Sequence, residues 1–400
     1  MAVTSLATGQ RSLGDGNVRF PLWPPVTGGC PVTSTADVSF PIEVDYDVGA
    51  VATGFASGPR RWPALLPPLL APGLGEGGTP LVELDDGVFV KDESRNPTWS
   101  HKDRLNRCTV SAALGVGAPG VVVASSGNHG ASAAAYAARA GLRCVALVSA
   151  GAPAAVGTFI AAYGAAVLTV PAGERWPLLN RIVDEFGLHP VSNQTATHTG
   201  HPFGPEGYKP IAYEIFAELG VPGAVFVPTG YGELLFGIWK GFDELRRLGA
   251  ARRVPPLFAC EPSAGGPLAK AMAGGVPVAR VDVGPTGARA IACPVGSYRG
   301  VVALRSSGGR ALLVGDGELV EAQRELAAAG LWQELSAAAG LAGLRQLQRA
   351  PCNGPAIAGP VVCVATSSGF KDGANGEPVA AASGWDAVRR KLVDAGLRPG

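Results

Sequence analysis

The chain has 400 residues, 47% of them hydrophobic and 16% charged, with a formal net charge of +1. That length makes one large or two ordinary domains with ample core, and the near-neutral balance excludes an electrostatic grip on nucleic acid or an anionic membrane, leaving a small neutral partner as the better fit. The longest apolar runs, such as Val121 to Ala124 and Val361 to Ala365, are strand-sized and too short to span a bilayer. Met1-Ala2-Val3-Thr4-Ser5 lacks the basic start and apolar core of a signal peptide, so a cytoplasmic protein is expected.

In chain order, residues 1–75 are rich in Pro and Gly (Pro21, Pro24, Pro25, Gly28, Gly29, Pro67, Pro68, Pro72) and read as an irregular extension packed over a body. Beyond them, short β-branched runs alternate with alanine-rich stretches, the rhythm of a parallel sheet covered on both faces. After the strand-like Val88-Phe89-Val90, strands are predicted at 121–124, 144–148, 166–170, 224–227, 257–261 and 361–365. Helices are predicted at 102–115, 129–140, 154–162, 174–186, 206–219, 233–248, 317–329 and 335–347. This is an α/β pattern with too many units for one compact sheet. The seven cysteines show no CxxC pair and no metal-ligand spacing; Cys144, Cys260 and Cys363 fall in apolar runs as small hydrophobes, and no metal site is expected.

Four loops, each following a predicted strand, can share one crevice, because the carboxyl ends of parallel strands face the same side. The first, Asn96 to Arg104, carries Lys102 where loop becomes helix. There the helix dipole and partial burial both depress an ammonium pKa and favour the neutral amine that Schiff-base chemistry requires. The second, Ala124-Ser125-Ser126-Gly127-Asn128-His129-Gly130-Ala131-Ser132, offers hydroxyls, an amide and backbone N–H groups to an anion such as a carboxylate, although such a turn is equally an ordinary helix cap. The third, Pro228-Thr229-Gly230-Tyr231-Gly232-Glu233-Leu234-Leu235, could cradle a phosphate with its amides; Leu235 stands where a dinucleotide fingerprint needs its third Gly. The fourth, Thr366-Ser367-Ser368-Gly369-Phe370-Lys371-Asp372, puts a hydroxyl at a strand end.

With these blocks in view, together with Leu74-Gly75-Glu76-Gly77-Gly78-Thr79-Pro80-Leu81, Lys91-Asp92-Glu93 and Trp239-Lys240-Gly241-Phe242, the chain resembles the fold-type II pyridoxal-phosphate enzymes of the tryptophan synthase beta superfamily, in their threonine synthase-like branch. The resemblance spans roughly Gly75 to Asp372. It implies pyridoxal 5'-phosphate as cofactor, held in a Schiff base by Lys102, which later shuttles the Cα proton. Asn128 would contact the pyridoxal 3'-oxygen, and Ser125, Ser126 and the His129 amide the substrate carboxylate. Gly230, Tyr231, Gly232, Glu233 and Leu234 would bind the cofactor phosphate through N–H groups, and Thr366 would face the pyridine nitrogen. A hydroxyl there suits elimination or replacement at the β or γ carbon over transamination.

The resemblance also implies a two-domain α/β architecture, with parallel-type sheets flanked by helices and the cofactor in the interdomain cleft. Its parts are an extension at 1–75, a large domain at 76–90 and 211–372, a small mobile domain at 91–210 and a tail at 373–400. The partner is a small amino acid, and a homodimer is implied.

Several positions depart from the branch. In Thr199 to Pro210, threonine synthases carry Asn-Pro-x-Arg, gripping the phosphate of O-phosphohomoserine, where this chain has His201 and Gly204. Losing that guanidinium costs about 2 to 5 kcal/mol of phosphate recognition. His101 replaces an aromatic before the lysine, and His129 stands where threonine synthases carry Thr; either can act as acid or base, and His201 is a candidate substrate contact. Glu233 would repel a phosphate unless its side chain points away. Asp103 and Arg104 are expected to orient the lysine helix by local ion pairing.

The leading reading is a β- or γ-elimination or replacement enzyme acting on a substrate other than O-phosphohomoserine. Its alternatives are a threonine synthase proper, or a threonine or serine dehydratase-type ammonia-lyase. A hydrolase using Ser125 or Ser126 with His129 lacks a GxSxG elbow. A non-catalytic ligand-binding relative is disfavoured by Lys102, Asn128 and Thr366 together.

Overall fold

The computed structural model describes residues 4–51, 55, 58–150, 154–349, 357–371, 385–394 and 396. Cys352, Asp372 and most of the predicted tail at 373–400 lie outside the described residues. The chain opens with a three-stranded antiparallel sheet, β1 (Ala7–Ser12), β2 (Arg19–Phe20) and β3 (Ile42–Tyr46), in the order β2-β1-β3. The expectation of an irregular extension is corrected here. β1 reads Ala-Thr-Gly-Gln-Arg-Ser and carries no apolar alternation, so pairing holds it, helped by Gln10, whose Nε2 donates to the Pro21, Leu22 and Pro24 carbonyls.

β4 (Leu81–Asp85) and β5 (Val88–Asp92) form a hairpin across Asp86-Gly87, with Gly87 at φ +73 as such a turn requires. Then α1 (Lys102–Gly115), β6 (Gly120–Ala124), α2 (Asn128–Arg139), β7 (Arg143–Ser149), α3 (Ala154–Ala162), β8 (Ala166–Val170), α4 (Arg175–Phe186) and β9 (His189–Pro190) build a parallel sheet ordered β8-β7-β6-β9. Val121, Val122 and Val123 of β6 are all buried, as a strand covered on both faces must be.

The remainder is α5 (Lys209–Leu219), β10 (Ala224–Pro228), α6 (Glu233–Arg247), β11 (Leu257–Pro262), α7 (Pro267–Gly274), α8 (Tyr298–Ser307), β12 (Arg310–Val314), α9 (Asp316–Ala328), α10 (Ala339–Arg349), β13 (Val361–Ala365) and α11 (Trp385–Asp394). Its strands join the hairpin in a six-stranded sheet ordered β12-β11-β10-β13-β5-β4, parallel throughout except for β4. β10 is flanked by β11 on one side and β13 on the other, so the strand order reverses there and leaves a crevice at the strands' carboxyl ends. β6 occupies the equivalent place between β7 and β9.

The sequence pattern missed β12, α7 and α8. β12 is an edge strand half open to solvent, and α8 contains Gly300 and two valines that weaken its helical signal. The helix expected at 206–219 divides into a 3-10 turn at Pro205–Tyr208 and α5 from Lys209. There the backbone meets α1: a Cβ on Gly207 would sit 2.0 Å from the Arg104 carbonyl oxygen.

One buried network ties α1 to both α5 and the hairpin. Arg104 donates to Glu93 at 2.7 and 2.8 Å and to Glu214 at 2.8 and 2.7 Å, while Lys91 pairs with Glu214 at 2.7 Å. Arg104 therefore orients the helix through Glu93, 11 positions before it, and Glu214, 110 positions after it, not through pairs within its own helix.

Candidate active site

The residues around Lys102 are fixed from several directions. Trp99, at φ +59, turns the chain into α1. Asp103 accepts from the Thr98 N–H, the Thr98 hydroxyl and the Ser132 hydroxyl, each at 2.6 Å, which seats the first helical turn against α2. His101 donates its backbone N–H at 3.0 Å and its Nδ1–H at 3.1 Å to the Thr366 carbonyl, so the loop after β13 is bound to the lysine loop. Lys102 is half-buried at the helix start and donates to the Tyr208 hydroxyl at 3.1 Å. Burial pushes its ammonium below the usual value, with Glu233, Cys293 and Glu334 opposing.

Lys102 faces a cavity of about 990 Å³ lined from both sheets. The candidate cofactor and substrate residues line it: His101 and Lys102, then Ser125, Ser126, Asn128 and His129, then His201, Gly230, Tyr231, Gly232, Glu233, Leu234 and Thr366. Asn128 is held from the six-stranded side, donating to Glu334 at 3.1 Å and accepting from Ser367 at 3.2 Å and Lys371 at 2.6 Å. Burial lowers Lys371 to about 8. Ser126 accepts the Ser149 N–H at 2.6 Å and Ser125 the Gly127 N–H at 3.3 Å, so each hydroxyl keeps its own proton to donate.

The turn between β10 and α6 is built of backbone. A Cβ on Gly230 would lie 2.9 Å from Cys293 Sγ, and one on Gly232, at φ +86, 2.9 Å from Gly300 Cα. The turn is thus free of side chains at both glycines, and the first N–H groups of α6 point outward as an anion cradle. Tyr231 stacks on His198 at 3.9 Å and 10°.

All five histidines of the chain gather here with depressed pKa values. Burial lowers His129 to about 3 and His189 to about 4, and depresses His101, His198 and His201 in the same sense. His201 accepts the Phe203 N–H at Nδ1 (3.0 Å), so its Nε2–H donates to His189 Nε2 at 2.9 Å. Both its ring nitrogens are engaged within the protein.

Sequence reasoning had no signal for Tyr208, Glu334 or Lys371 as partners of Lys102 and Asn128, because each contact joins residues more than a hundred positions apart. A half-buried amine with a depressed pKa, a glycine-shaped anion cradle and a strand-end hydroxyl around one cavity fit a phosphorylated aldehyde cofactor.

The family profile described as "Pyridoxal-phosphate dependent enzyme" matches residues 73–367. The threonine synthase of Methanocaldococcus jannaschii is 34% identical over 318 residues, covering 75% of this chain and 76% of its own. That of Synechocystis is 34% identical over 311 residues, covering 74% and 78%. Among solved structures, the processed form of threonine deaminase isoform 2 from Solanum lycopersicum superposes with a TM-score of 0.62 at 18% identity, covering 80% of this chain and 88% of that one. Serine racemase of Dictyostelium discoideum gives 0.60 at 21%, covering 75% and 93%. These two likenesses speak to the fold.

Proposed function

The chain belongs to the pyridoxal-phosphate-dependent enzyme family, in its threonine synthase-like branch, and is a pyridoxal-phosphate-dependent lyase of fold type II; from that premise we propose that it eliminates or replaces a β or γ substituent of an amino acid. The observation that carries this reading is Lys102, a half-buried amine with a depressed pKa lining the same cavity as the glycine-shaped turn at Gly230 to Leu234. Lys102 would hold the cofactor and, when released, take up the substrate's Cα proton. The N–H groups of Gly230 to Leu234 would hold the phosphate, the Asn128 amide the ring oxygen, and the Thr366 hydroxyl the ring nitrogen. Ser125 and Ser126 would donate to the substrate carboxylate with the His129 backbone N–H. When bound, pyridoxal phosphate supplies an electron sink for the charge left at Cα.

Lys102 is the only residue asked to move the Cα proton; the neutral imidazoles of His101 and His129 are candidates to take or deliver a proton at the departing group. The two sheets enclosing the cavity would close over substrate and exclude water, protecting an unsaturated intermediate from hydrolysis. Among the described residues no helix is long and apolar enough to cross a membrane. A homodimer in the cytoplasm completes the reading, and light scattering of the purified protein checks the dimer.

The test is an absorbance titration of holoenzyme with O-phosphohomoserine, threonine, serine, O-acetylserine and diaminopropionate, with assays for threonine, ammonia and 2-oxo acid. Holoenzyme should absorb at roughly 410 to 430 nm, and Lys102→Ala should lose that band and all turnover. Threonine from O-phosphohomoserine makes the protein a threonine synthase; ammonia and oxo acid from a hydroxy- or amino-substituted substrate make it an ammonia-lyase. A protein without the band, silent toward all five, is a ligand-binding relative and the proposal fails.

A further inference from the structure

Glu233 is the first residue of α6 and lines the cavity. Its Oε1 lies over Gly200, so close that a Cβ on that glycine would sit 2.0 Å away, and Gly200 itself has φ +62. The 199–201 turn is therefore shaped around the carboxyl and leaves it facing the cavity beside Lys102. Among the described residues no hydrogen-bond donor reaches it. Burial raises its pKa, while Lys102 and Arg299 pull the other way.

Arg299 stands behind this wall. Its guanidinium is fully buried, donating from Nη2 to the Ile42 carbonyl at 2.5 Å and from Nε to the Thr199 carbonyl at 3.3 Å, so it props the turn from outside the cavity. Two further acceptor-capable groups line the same cavity. His129 Nε2 and His198 Nδ1 are both buried without a partner. With His129 held at about 3 by burial, its imidazole is neutral. Two buried imidazole nitrogens lacking partners cost stability until a donor arrives, and the half-buried Glu233 carboxyl opens onto the same cavity.

We infer that the departing substituent of the substrate carries a hydrogen-bond donor, an amine or a hydroxyl, received by Glu233, and that Glu233 is the residue that discriminates against anionic substituents such as a phosphate ester. The inference deepens the proposed function and rests on it. When ionised, the carboxylate gives a donor at this position a charge-assisted hydrogen bond and repels a phosphate, so one side chain both attracts and rejects. Arg175 and Arg289 also line the cavity, and an anionic substituent reaching them is the competing outcome.

The experiment measures Kd on holoenzyme, from the initial spectral amplitude, for L-2,3-diaminopropionate, L-serine, O-phospho-L-serine and O-phospho-L-homoserine, in the wild type and in Glu233→Gln. The better donor-bearing ligand should bind at least about tenfold tighter than either phosphate ester, and Glu233→Gln should narrow that ratio by about tenfold. A loss confined to diaminopropionate identifies the donor as an amine; an equal loss for serine identifies a hydroxyl. Tighter binding of a phosphate ester by the wild type, or a ratio unchanged in the variant, overturns the inference. Should the variant fail to load cofactor, the wild-type ratio decides. Because the ratio is read from binding, it stands apart from the product assays, whose failure would sink the elimination or replacement reading instead.

Discussion

Tyr208 is fully buried, and its hydroxyl is the acceptor for the Lys102 amine. A phenol so placed limits where the amine can point, which matters for a group that must reach a single proton. Tyr208→Phe removes that acceptor without changing the packing of the ring. We expect kcat to fall by about 10- to 100-fold with the cofactor band retained; a variant with wild-type kcat would show that packing alone positions Lys102. His201 teaches a different lesson about single residues. It lines the cavity as its sequence position suggested, yet both ring nitrogens are already bonded to Phe203 and His189, so its contribution to ligand recognition would be shape.

At the level of elements, the β10–α6 turn combines two constraints that only glycine meets at position 232: φ +86 and the approach of Gly300 Cα. Gly232→Ala should raise the Kd for pyridoxal phosphate at least about tenfold, a cost of about 1 to 2 kcal/mol from backbone strain, measured by titrating apoprotein and following tryptophan quenching. Unchanged affinity would mean that the turn does not hold the phosphate. Such turns were legible in the sequence because each has local chemistry: a strand, then Gly or Ser, then a helix. α1 was placed at Lys102 and β13 at Val361 for the same reason, since alanine-rich and valine-rich runs differ in period. β1 and β12 escaped because a polar strand and a half-exposed edge strand take their structure from neighbours, not from pattern. Contacts such as Lys371 to Asn128 join loops that only the finished topology brings together.

On the scale of the whole molecule, concentrating every histidine in one buried region makes stability depend on acidity. Each has a folded pKa below the unfolded value of about 6.5, so the unfolded chain binds more protons as pH falls. Their contribution is complete above that value and is lost toward the folded pKa, about 4 for His189 and about 3 for His129. Glu261, raised by burial to about 7, works in the opposite sense and gains stability over part of the same range. Comparing wild type with a single variant isolates one histidine from this sum. Between pH 6.5 and 5, His189→Gln should lose about 1 to 2 kcal/mol less stability than the wild type in urea denaturation. Parallel pH curves for the two proteins would show that His189 is protonated or exposed in the folded state.

The carbonyls of Ile42 and Val44 on β3 receive Arg299 and Lys240, at 2.5 and 2.6 Å. The recognisable family segment begins at residue 73, so β3 lies outside it. A chain started at that residue would leave Arg299 with the Thr199 carbonyl and Lys240 with Glu206 as their remaining partners, a buried-charge defect of about 3 to 5 kcal/mol. It should be recovered largely insoluble, and a soluble product with the melting temperature of the full chain would refute this. Anyone trimming the protein to its recognisable part would be removing a foundation that no motif advertises.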